Sequence, residues 1–108
     1  MHITKKLDTT RFEQSAALFG ALSDPIRLSI LDILSGQPQC ACDIGDVVEI
    51  APNLLSYHLK VLKEAGLIVG DKRGRWIDYS VATDAWKKVR TALPTGCRHS
   101  MVMKRRRQ

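Results

Sequence analysis

The chain contains 108 residues, enough for one domain with a hydrophobic core and too few for a second core of ordinary size. Lysine and arginine number 17 against 11 acidic residues, and this net charge of +6 favours a polyanionic partner, nucleic acid before a membrane surface. No apolar run reaches the length of a membrane-spanning helix, and the N-terminal residues lack the apolar segment of a signal peptide. A cytoplasmic protein is expected, so its three cysteines are interpreted as free thiols, metal ligands or a redox switch rather than disulfides.

Two amphipathic helices are predicted in the first third of the chain. The first follows the capping candidates Asp8 and Thr9. Its apolar residues recur at three- and four-residue steps and are Phe12, Ala16, Phe19 and Leu22. The second has Asp24 as its N-cap and Pro25 at its first helical position. Its apolar stripe consists of Ile26, Ile30, Ile33 and Leu34 and ends at Gly36.

A longer helix is predicted to begin at Pro52 and Asn53, to run to Ala65 and to stop at Gly66. At about 100° per residue its side chains separate into two faces. The apolar face consists of Leu54, Leu55, Leu59, Val61, Leu62 and Ala65, with His58 in its middle as an expected structural residue of the core. The polar face consists of Asn53, Ser56, Tyr57, Lys60, Lys63 and Glu64. A polar face with two lysines and no aspartate suits a helix that lies in the major groove of DNA.

Residues 67 to 81 predict a β-hairpin, because apolar and polar residues alternate along its second half. The alternating apolar residues are Ile77, Tyr79 and Val81, and the turn region contains Gly70 and Gly74. The tip of the hairpin carries the basic residues Lys72, Arg73 and Arg75.

A last helix is predicted after Thr83 or Asp84 as its cap, with Pro94 as its end. Trp86, Val89 and Leu93 share one face of it. Residues 95 to 108 show no apolar period, and we expect them to form a flexible basic tail that carries Cys97.

This order of elements predicts a winged helix-turn-helix over residues 1 to 94, mainly α with a β-hairpin wing. The candidates for contacts at or near the base edges are Asn53, Ser56 and Tyr57, and the phosphate candidates are Lys60, Lys63, Lys72, Arg73 and Arg75. The sequence has no phosphate-binding glycine loop, no HExxH motif and no recognisable pair of nucleophile and base. We therefore expect a DNA-binding protein that is not an enzyme and has no small-molecule substrate.

Four segments of the chain resemble successive blocks of the ArsR/SmtB family of metal-sensing repressors: LSDPIRLSILDIL, CACDI, LLSYHLKVLKEAGLIV and RGRWIDYSV. The resemblance covers residues 11 to 90 in the family's order. It implies a homodimer, joined through the first and last helices, that binds a palindromic operator and releases it when a metal or metalloid binds. CACD is similar to the Cys-Val-Cys-Asp-Leu-Cys motif of the arsenic-responsive branch, whose cysteines bind arsenite or antimonite. Gly45 stands at the position of the third motif cysteine, so Cys97 is the candidate third ligand beside Cys40 and Cys42.

The spacing of Cys40 and Cys42 limits how the two thiols can share an ion. Residues i and i+2 lie about 200° apart on a helix, whereas in an extended segment they point the same way. We therefore predict that the short third helix begins at Asp43, after both thiols. Trivalent arsenic, held by three thiolates, is expected to shift the third helix together with the DNA-reading helix, or the two reading heads of the dimer, away from the spacing of about 34 Å that successive major grooves require. Four alternatives stay open. The first two are cadmium or lead on the same thiols, and zinc with His2 or His99 as an added ligand. The others are oxidation of the thiols in a redox-sensing repressor, and a DNA-binding protein with no thiol effector.

Overall fold

A computed structural model describes residues 9 to 94 of the chain. A 3-10 turn (Thr10–Phe12) leads into α1 (Glu13–Leu22), which is followed by α2 (Pro25–Gly36), β1 (Gln39–Cys40), α3 (Ala41–Val48), α4 (Pro52–Glu64), β2 (Ile68–Arg73), β3 (Trp76–Val81) and α5 (Ala85–Thr91). The helices enclose one buried apolar cluster, and its largest fully buried side chains are Ile30, Ile44, Leu62, Leu67 and Ile68. This is the mainly helical fold with a hairpin wing that the sequence predicts.

The face that the first helix buries overlaps only in part with the one that its spacing predicts. Leu22 packs against the core and Phe19 is partly buried, as expected of the predicted apolar face. Leu18 and Ala21 are buried, whereas Phe12 and Ala16 are exposed. The segment AALFGAL is apolar on every side, so its period cannot select the face that packs on the core. The side chain of Thr9 caps no helix in the structure, and the other capping candidate, Asp8, lies outside the described residues.

The second helix begins as its sequence predicts. The side chain of Asp24 accepts hydrogen bonds from the backbone N–H groups of Ile26 (2.8 Å) and Arg27 (3.1 Å), and Pro25 occupies the first helical position. These bonds satisfy two of the N–H groups that have no partner inside the helix. The buried residues Ile30, Leu31 and Leu34 then direct one side of the helix into the core.

The fourth helix ends in a hydrogen-bonded C-cap. Gly66 has a positive φ of 77°, its N–H donates to the carbonyl of Lys63, and the N–H of Leu67 donates to the carbonyl of Leu62. This pair of bonds is the Schellman motif, which favours glycine because a side chain strains the left-handed conformation. The helix therefore stops at the residue that the sequence predicts, and the chain passes directly into β2.

The three strands form one antiparallel sheet in the order β1, β3, β2. The strand β1 is absent from the sequence-based prediction, because two residues after a proline carry no alternation. The prediction also put Gly70 in the turn, and this is wrong: Gly70 pairs with Tyr79 inside the sheet, and an added Cβ would lie 3.0 Å from Cγ2 of Ile77. The hairpin turn is Gly74 and Arg75, and the φ of +62° at Gly74 alone matches a type II′ turn.

The last helix packs on the core through small side chains. Ala85 is buried, and Val89 and Ala92 lie against the core, whereas Trp86 and Leu93 are 44% and 45% exposed. Of the three residues that the sequence places on one face of this helix, Trp86, Val89 and Leu93, only Val89 packs on the core. The side chain of Asp84 stands at the N-cap position but makes no capping bond.

Candidate DNA interface and thiol pair

The polar face of α4 is exposed along its whole length. All of its predicted members, Asn53, Ser56, Tyr57, Lys60, Lys63 and Glu64, are accessible to solvent, and Tyr57 is 55% exposed. The opposite side buries Leu55, His58, Leu59 and Leu62. Leu54, which the sequence pattern assigns to the apolar side, is exposed, because it lies in the first turn beyond the edge of the core. The face that could meet DNA is thus separated from the core as the sequence predicts.

A three-residue turn, Glu49 to Ala51, joins α3 to α4 as in a helix-turn-helix. Glu49 takes the left-handed conformation (φ 62°), and its N–H donates to the carbonyl of Gly45 at 2.8 Å. The two helices approach closely, because a Cβ at Gly45 would lie only 3.3 Å from Cδ2 of Leu55. Because α3 packs this closely on α4, a displacement of α3 would act directly on the helix that carries the polar face.

A partly buried polar bridge joins α4 to the first two helices. The Arg27 guanidinium donates to the carbonyls of Ala21 (2.7 Å) and Gly20 (3.1 Å), and its Nη1 lies 3.0 Å from Nδ1 of His58. Because a guanidinium only donates, Nδ1 of His58 accepts this bond. His58 is 4% exposed, which confirms the prediction that it is a structural residue of the core.

The bridge reaches the exposed face of α4 through Tyr57. The Tyr57 and His58 rings meet edge to face with their centroids 5.2 Å apart. The sequence-based prediction did not include Arg27. The feature that could have indicated it is the position of an arginine beside the apolar stripe of the second helix, about one helical turn after the Asp24 cap. Arg27 thereby supports Tyr57, a candidate DNA-contacting side chain, indirectly through His58.

The wing presents its three basic residues at one end of the sheet. Lys72 and Arg73 end β2, and Arg75 lies in the turn. Arg73 forms an ion pair with Asp78, in which Nε and Oδ2 are 3.1 Å apart. All three cations are exposed, as phosphate contacts require.

The two thiols lie at the junction of β1 and α3, and Cys40 is half-buried while Cys42 is exposed. The prediction that the helix begins at Asp43 is wrong: α3 begins at Ala41, so Cys40 is extended and Cys42 is already helical. The pairing of β1 with β3 fixes Cys40 in the sheet, and helix formation follows at once. Within a helix, residues 42 and 45 share a face, and position 45 is glycine.

The described part of the chain shows no third ligand gathered beside these thiols. Among residues 9 to 94, no three histidine, cysteine, aspartate or glutamate side chains form a group that could hold a metal ion. Cys97, His2 and His99, the other predicted ligands, lie outside that range. Thiolates are soft donors of the kind that bind soft ions.

An exposed polar helix behind a short turn, with a basic wing beside it, defines a winged helix-turn-helix DNA-binding protein. A model of the family described as bacterial regulatory protein, arsR family, matches residues 24 to 69. The HTH-type transcriptional regulator MJ1325 of Methanocaldococcus jannaschii is 35% identical over 80 residues, which cover 73% of this chain and 90% of that protein. The arsenical resistance operon repressor of Bacillus subtilis is 35% identical over 82 residues, covering 75% of each chain. The chain belongs to the ArsR family of transcriptional regulators.

The fold agrees with this assignment. The homodimeric winged helix-turn-helix DNA-binding domain Mb0332 of Mycobacterium bovis superposes with a TM-score of 0.68 at 24% identity, over 85% of this chain and 83% of the other. Family and fold are those of DNA-binding transcriptional regulators and not of enzymes. No helix within residues 9 to 94 has the length and apolar character needed to cross a bilayer.

Proposed function

We propose that this protein is a metalloid-responsive repressor that binds operator DNA as a homodimer and is released when arsenite or antimonite binds Cys40, Cys42 and Cys97. The observation that carries the proposal is the position of the thiol pair. Cys40 and Cys42 flank the first residue of α3, and α3 leads through three residues into α4. An ion held there acts on the chain directly before the helix-turn-helix.

The DNA contacts in this proposal divide between α4 and the wing. Asn53, Ser56 and Tyr57, near the N-terminal end of α4, read base edges, while five cations contact phosphates: Lys60, Lys63, Lys72, Arg73 and Arg75. Their common exposure supports this division. Because phosphate contacts release bound counterions, the affinity for DNA should fall steeply as salt rises.

The dimer is supported by apolar side chains that the described part of the chain leaves exposed on its first and last helices. Phe12 precedes α1, and Trp86 and Leu93 lie on and just after α5. Exposed apolar side chains that join into one patch form an association surface, and in this proposal these three residues do so. A relative of the same fold is homodimeric. A dimer through α1 and α5 would present two α4 helices to successive major grooves, about 34 Å apart.

The effector follows from the donor set. Trivalent arsenic and antimony bind three thiolates, and Cys40 and Cys42 supply two. Cys97 is the remaining cysteine of the chain. A relative with 35% identity is an arsenical resistance operon repressor. We therefore assign Cys97 as the third ligand in place of the cysteine that the arsenic-responsive motif has where this chain has Gly45.

Release of DNA then requires α3 and α4 to shift together, which moves the two reading helices of the dimer away from the spacing of about 34 Å that successive major grooves require. The space between Gly45 of α3 and the Leu55 side chain of α4 leaves little room for an added Cβ, which would lie 3.3 Å from Cδ2 of Leu55, so we expect a shift of α3 to be transmitted to the reading helix. An ion that prefers the shifted state by a few kcal/mol suffices to change operator occupancy strongly.

The experiment is an anaerobic titration of the reduced protein with arsenite, followed by the ultraviolet absorption of thiolate-to-arsenic bonds. We expect one arsenic per subunit in the wild type and a weaker, two-thiolate signal in Cys97→Ser. An unchanged signal in Cys97→Ser would remove Cys97 from the site. A wild type without an arsenite signal would contradict the metalloid assignment, and titrations with cadmium, lead and zinc, or oxidation with diamide, then test the alternatives.

A further inference from the structure

The short strand β1 connects the thiol pair to the wing by a second route that does not pass through α3 and α4. Cys40 is paired with Asp78 of β3, and Asp78 is paired on its other side with Asp71 of β2. Paired residues in an antiparallel sheet direct their side chains to the same face. Cys40 therefore lies beside the carboxylate of Asp78, with Cβ atoms about 5 Å apart as in other cross-strand pairs.

This face of the sheet is the one directed away from the core. The opposite face carries Ile68, which is buried, together with Tyr79 and Val81, which pack on the core. Asp78 and Arg73 lie on the outward face with Cys40, and Arg73 is the diagonal neighbour of Asp78 across the hairpin. On the outward face, the thiol of Cys40, the carboxylate of Asp78 and the guanidinium of Arg73 thus follow one another across the three strands.

The ion pair between Asp78 and Arg73 fixes one end of the guanidinium. Nε of Arg73 lies 3.1 Å from Oδ2 of Asp78, and the Arg73 side chain is 71% exposed while that of Asp78 is 25% exposed. Because the ion pair is made through Nε, the two outer nitrogens of the guanidinium keep N–H groups that can donate to a phosphate. The carboxylate therefore restricts the Arg73 side chain before DNA binds. This reduces the conformational entropy that the side chain loses on binding a phosphate, and so raises the affinity.

We propose that Asp78 is a positioning residue that holds Arg73 ready for a DNA phosphate and makes this arginine responsive to the state of the Cys40 thiol. An ion on Cys40 brings its bulk and its other ligands beside the Asp78 carboxylate and disturbs the pair with Arg73. The wing then loses an oriented contact at the same time as α4 is displaced. The responsive part of this inference rests on the proposed function, whereas the positioning part requires only that Arg73 contacts DNA.

The positioning part is tested in the effector-free protein by a double-mutant cycle with Asp78→Asn, Arg73→Gln and the double variant. DNA affinity is measured by fluorescence anisotropy on a duplex that the wild type has selected from a random-sequence pool. The matched control is Asp71→Asn, which removes the same charge from the neighbouring position of the same face. Both aspartate variants gain one positive charge, which by itself favours DNA binding.

We expect Asp71→Asn to bind as tightly as the wild type or more tightly, and Asp78→Asn to bind about twofold to fivefold more weakly, the range expected for an exposed ion pair. In the Arg73→Gln background, Asp78→Asn should cost nothing further, and Asp78→Glu should restore most of the affinity. An equal loss in Asp78→Asn with and without Arg73, or no loss at all, would overturn the positioning role. Circular dichroism of each variant establishes that it is folded.

The responsive part is tested without DNA, by NMR of the Arg73 Nε–H group during addition of arsenite to the reduced protein. We expect this resonance to shift in the wild type and in Asp71→Asn, and to stay unchanged in Asp78→Asn and in Cys40→Ser. Arsenite absorption with an unmoved Arg73 resonance would overturn this inference and leave the proposed function intact. Absence of arsenite absorption would overturn the proposed function and the responsive part together, while the cycle above still decides the positioning role.

Discussion

Arg27 is the residue on which the position of the reading helix depends most directly. Its guanidinium joins the C-terminal carbonyls of α1 to His58 of α4 through three hydrogen bonds. Removal of the guanidinium leaves two carbonyls and a buried imidazole nitrogen without this donor, and such losses cost more than an ordinary hydrogen bond contributes. The polar face of α4 is thus held in place from the interior side.

We predict that Arg27→Gln lowers the free energy of unfolding by about 2 kcal/mol, the range for bonds that involve a charged group. Urea denaturation measures the change. Lys87→Gln, an exposed position on α5, is the matched control and should change the free energy of unfolding by less than about 0.5 kcal/mol. Equal stability of Arg27→Gln and the wild type would contradict the role of the bridge.

Asp24 gives the fold a dependence on pH. The backbone N–H of Arg27 lowers the pKa of Asp24 below its ordinary value of 3.8; desolvation opposes this, and the N–H of Ile26 and the charge of Arg27 add to the lowering. A depressed folded-state pKa means that the stabilisation is complete above the unfolded value and is lost as pH falls through the folded one. Asp24→Asn retains an acceptor for the cap but does not ionise. We expect the stability of the wild type to fall below pH 3.8 and that of Asp24→Asn to fall less over the same range. Thermal unfolding at a series of pH values measures both, and identical pH profiles would contradict the assignment.

At the scale of elements, the end of α4 sets the direction in which the wing leaves the core. Gly66→Ala places a Cβ in a left-handed residue and 2.6 Å from Nζ of Lys88, so we predict a loss of about 1 kcal/mol in unfolding free energy. Gly36→Ala, at the end of α2 with open space around the added Cβ, is the control and should be neutral or stabilising. Chemical denaturation measures the unfolding free energy of both variants. A loss in Gly66→Ala alone indicates that position 66 requires the left-handed conformation, whereas equal losses in both variants would contradict this.

The helix ends show which parts of this fold follow from sequence. Asp24 with Pro25, and Gly66, are local signals whose hydrogen bonds lie within a few residues, so α2 and the end of α4 were predicted correctly. The strand β1 was missed because its existence depends on a partner nearly 40 residues away in β3. That pairing also explains why α3 begins earlier than Asp43. Local patterns predicted what local bonds determine.

The candidate site was predictable to the same degree. The exposed face of α4 follows from helical period alone, and its polar residues lie where the sequence placed them. The bridge from Arg27 to His58 and the ion pair of Arg73 with Asp78 depend on tertiary contacts, and no sequence period encodes them. The three-thiol site stays a prediction, because Cys97 lies beyond the described residues.

For the whole molecule, the two tryptophans provide a direct test of the dimer. Trp86 on α5 and Trp76 on the wing are 44% and 56% exposed, so either can be replaced without opening the core. We predict that Trp86→Glu converts a dimer into a monomer, because it buries a charge in the proposed interface, and that Trp76→Glu leaves the dimer intact. Sedimentation velocity distinguishes the two states. Dissociation by Trp76→Glu and not by Trp86→Glu would place the interface on the wing instead.

The central claim is that ion binding at the thiols removes the protein from DNA. The measurement that tests it most directly is the anisotropy of a labelled, wild-type-selected duplex bound to the reduced protein while arsenite is added without oxygen. We predict that arsenite releases the wild type, and that Cys40→Ser and Cys42→Ser bind the duplex equally tightly but stay bound at every arsenite concentration. Release of these two variants at the same arsenite concentration as the wild type would contradict the account.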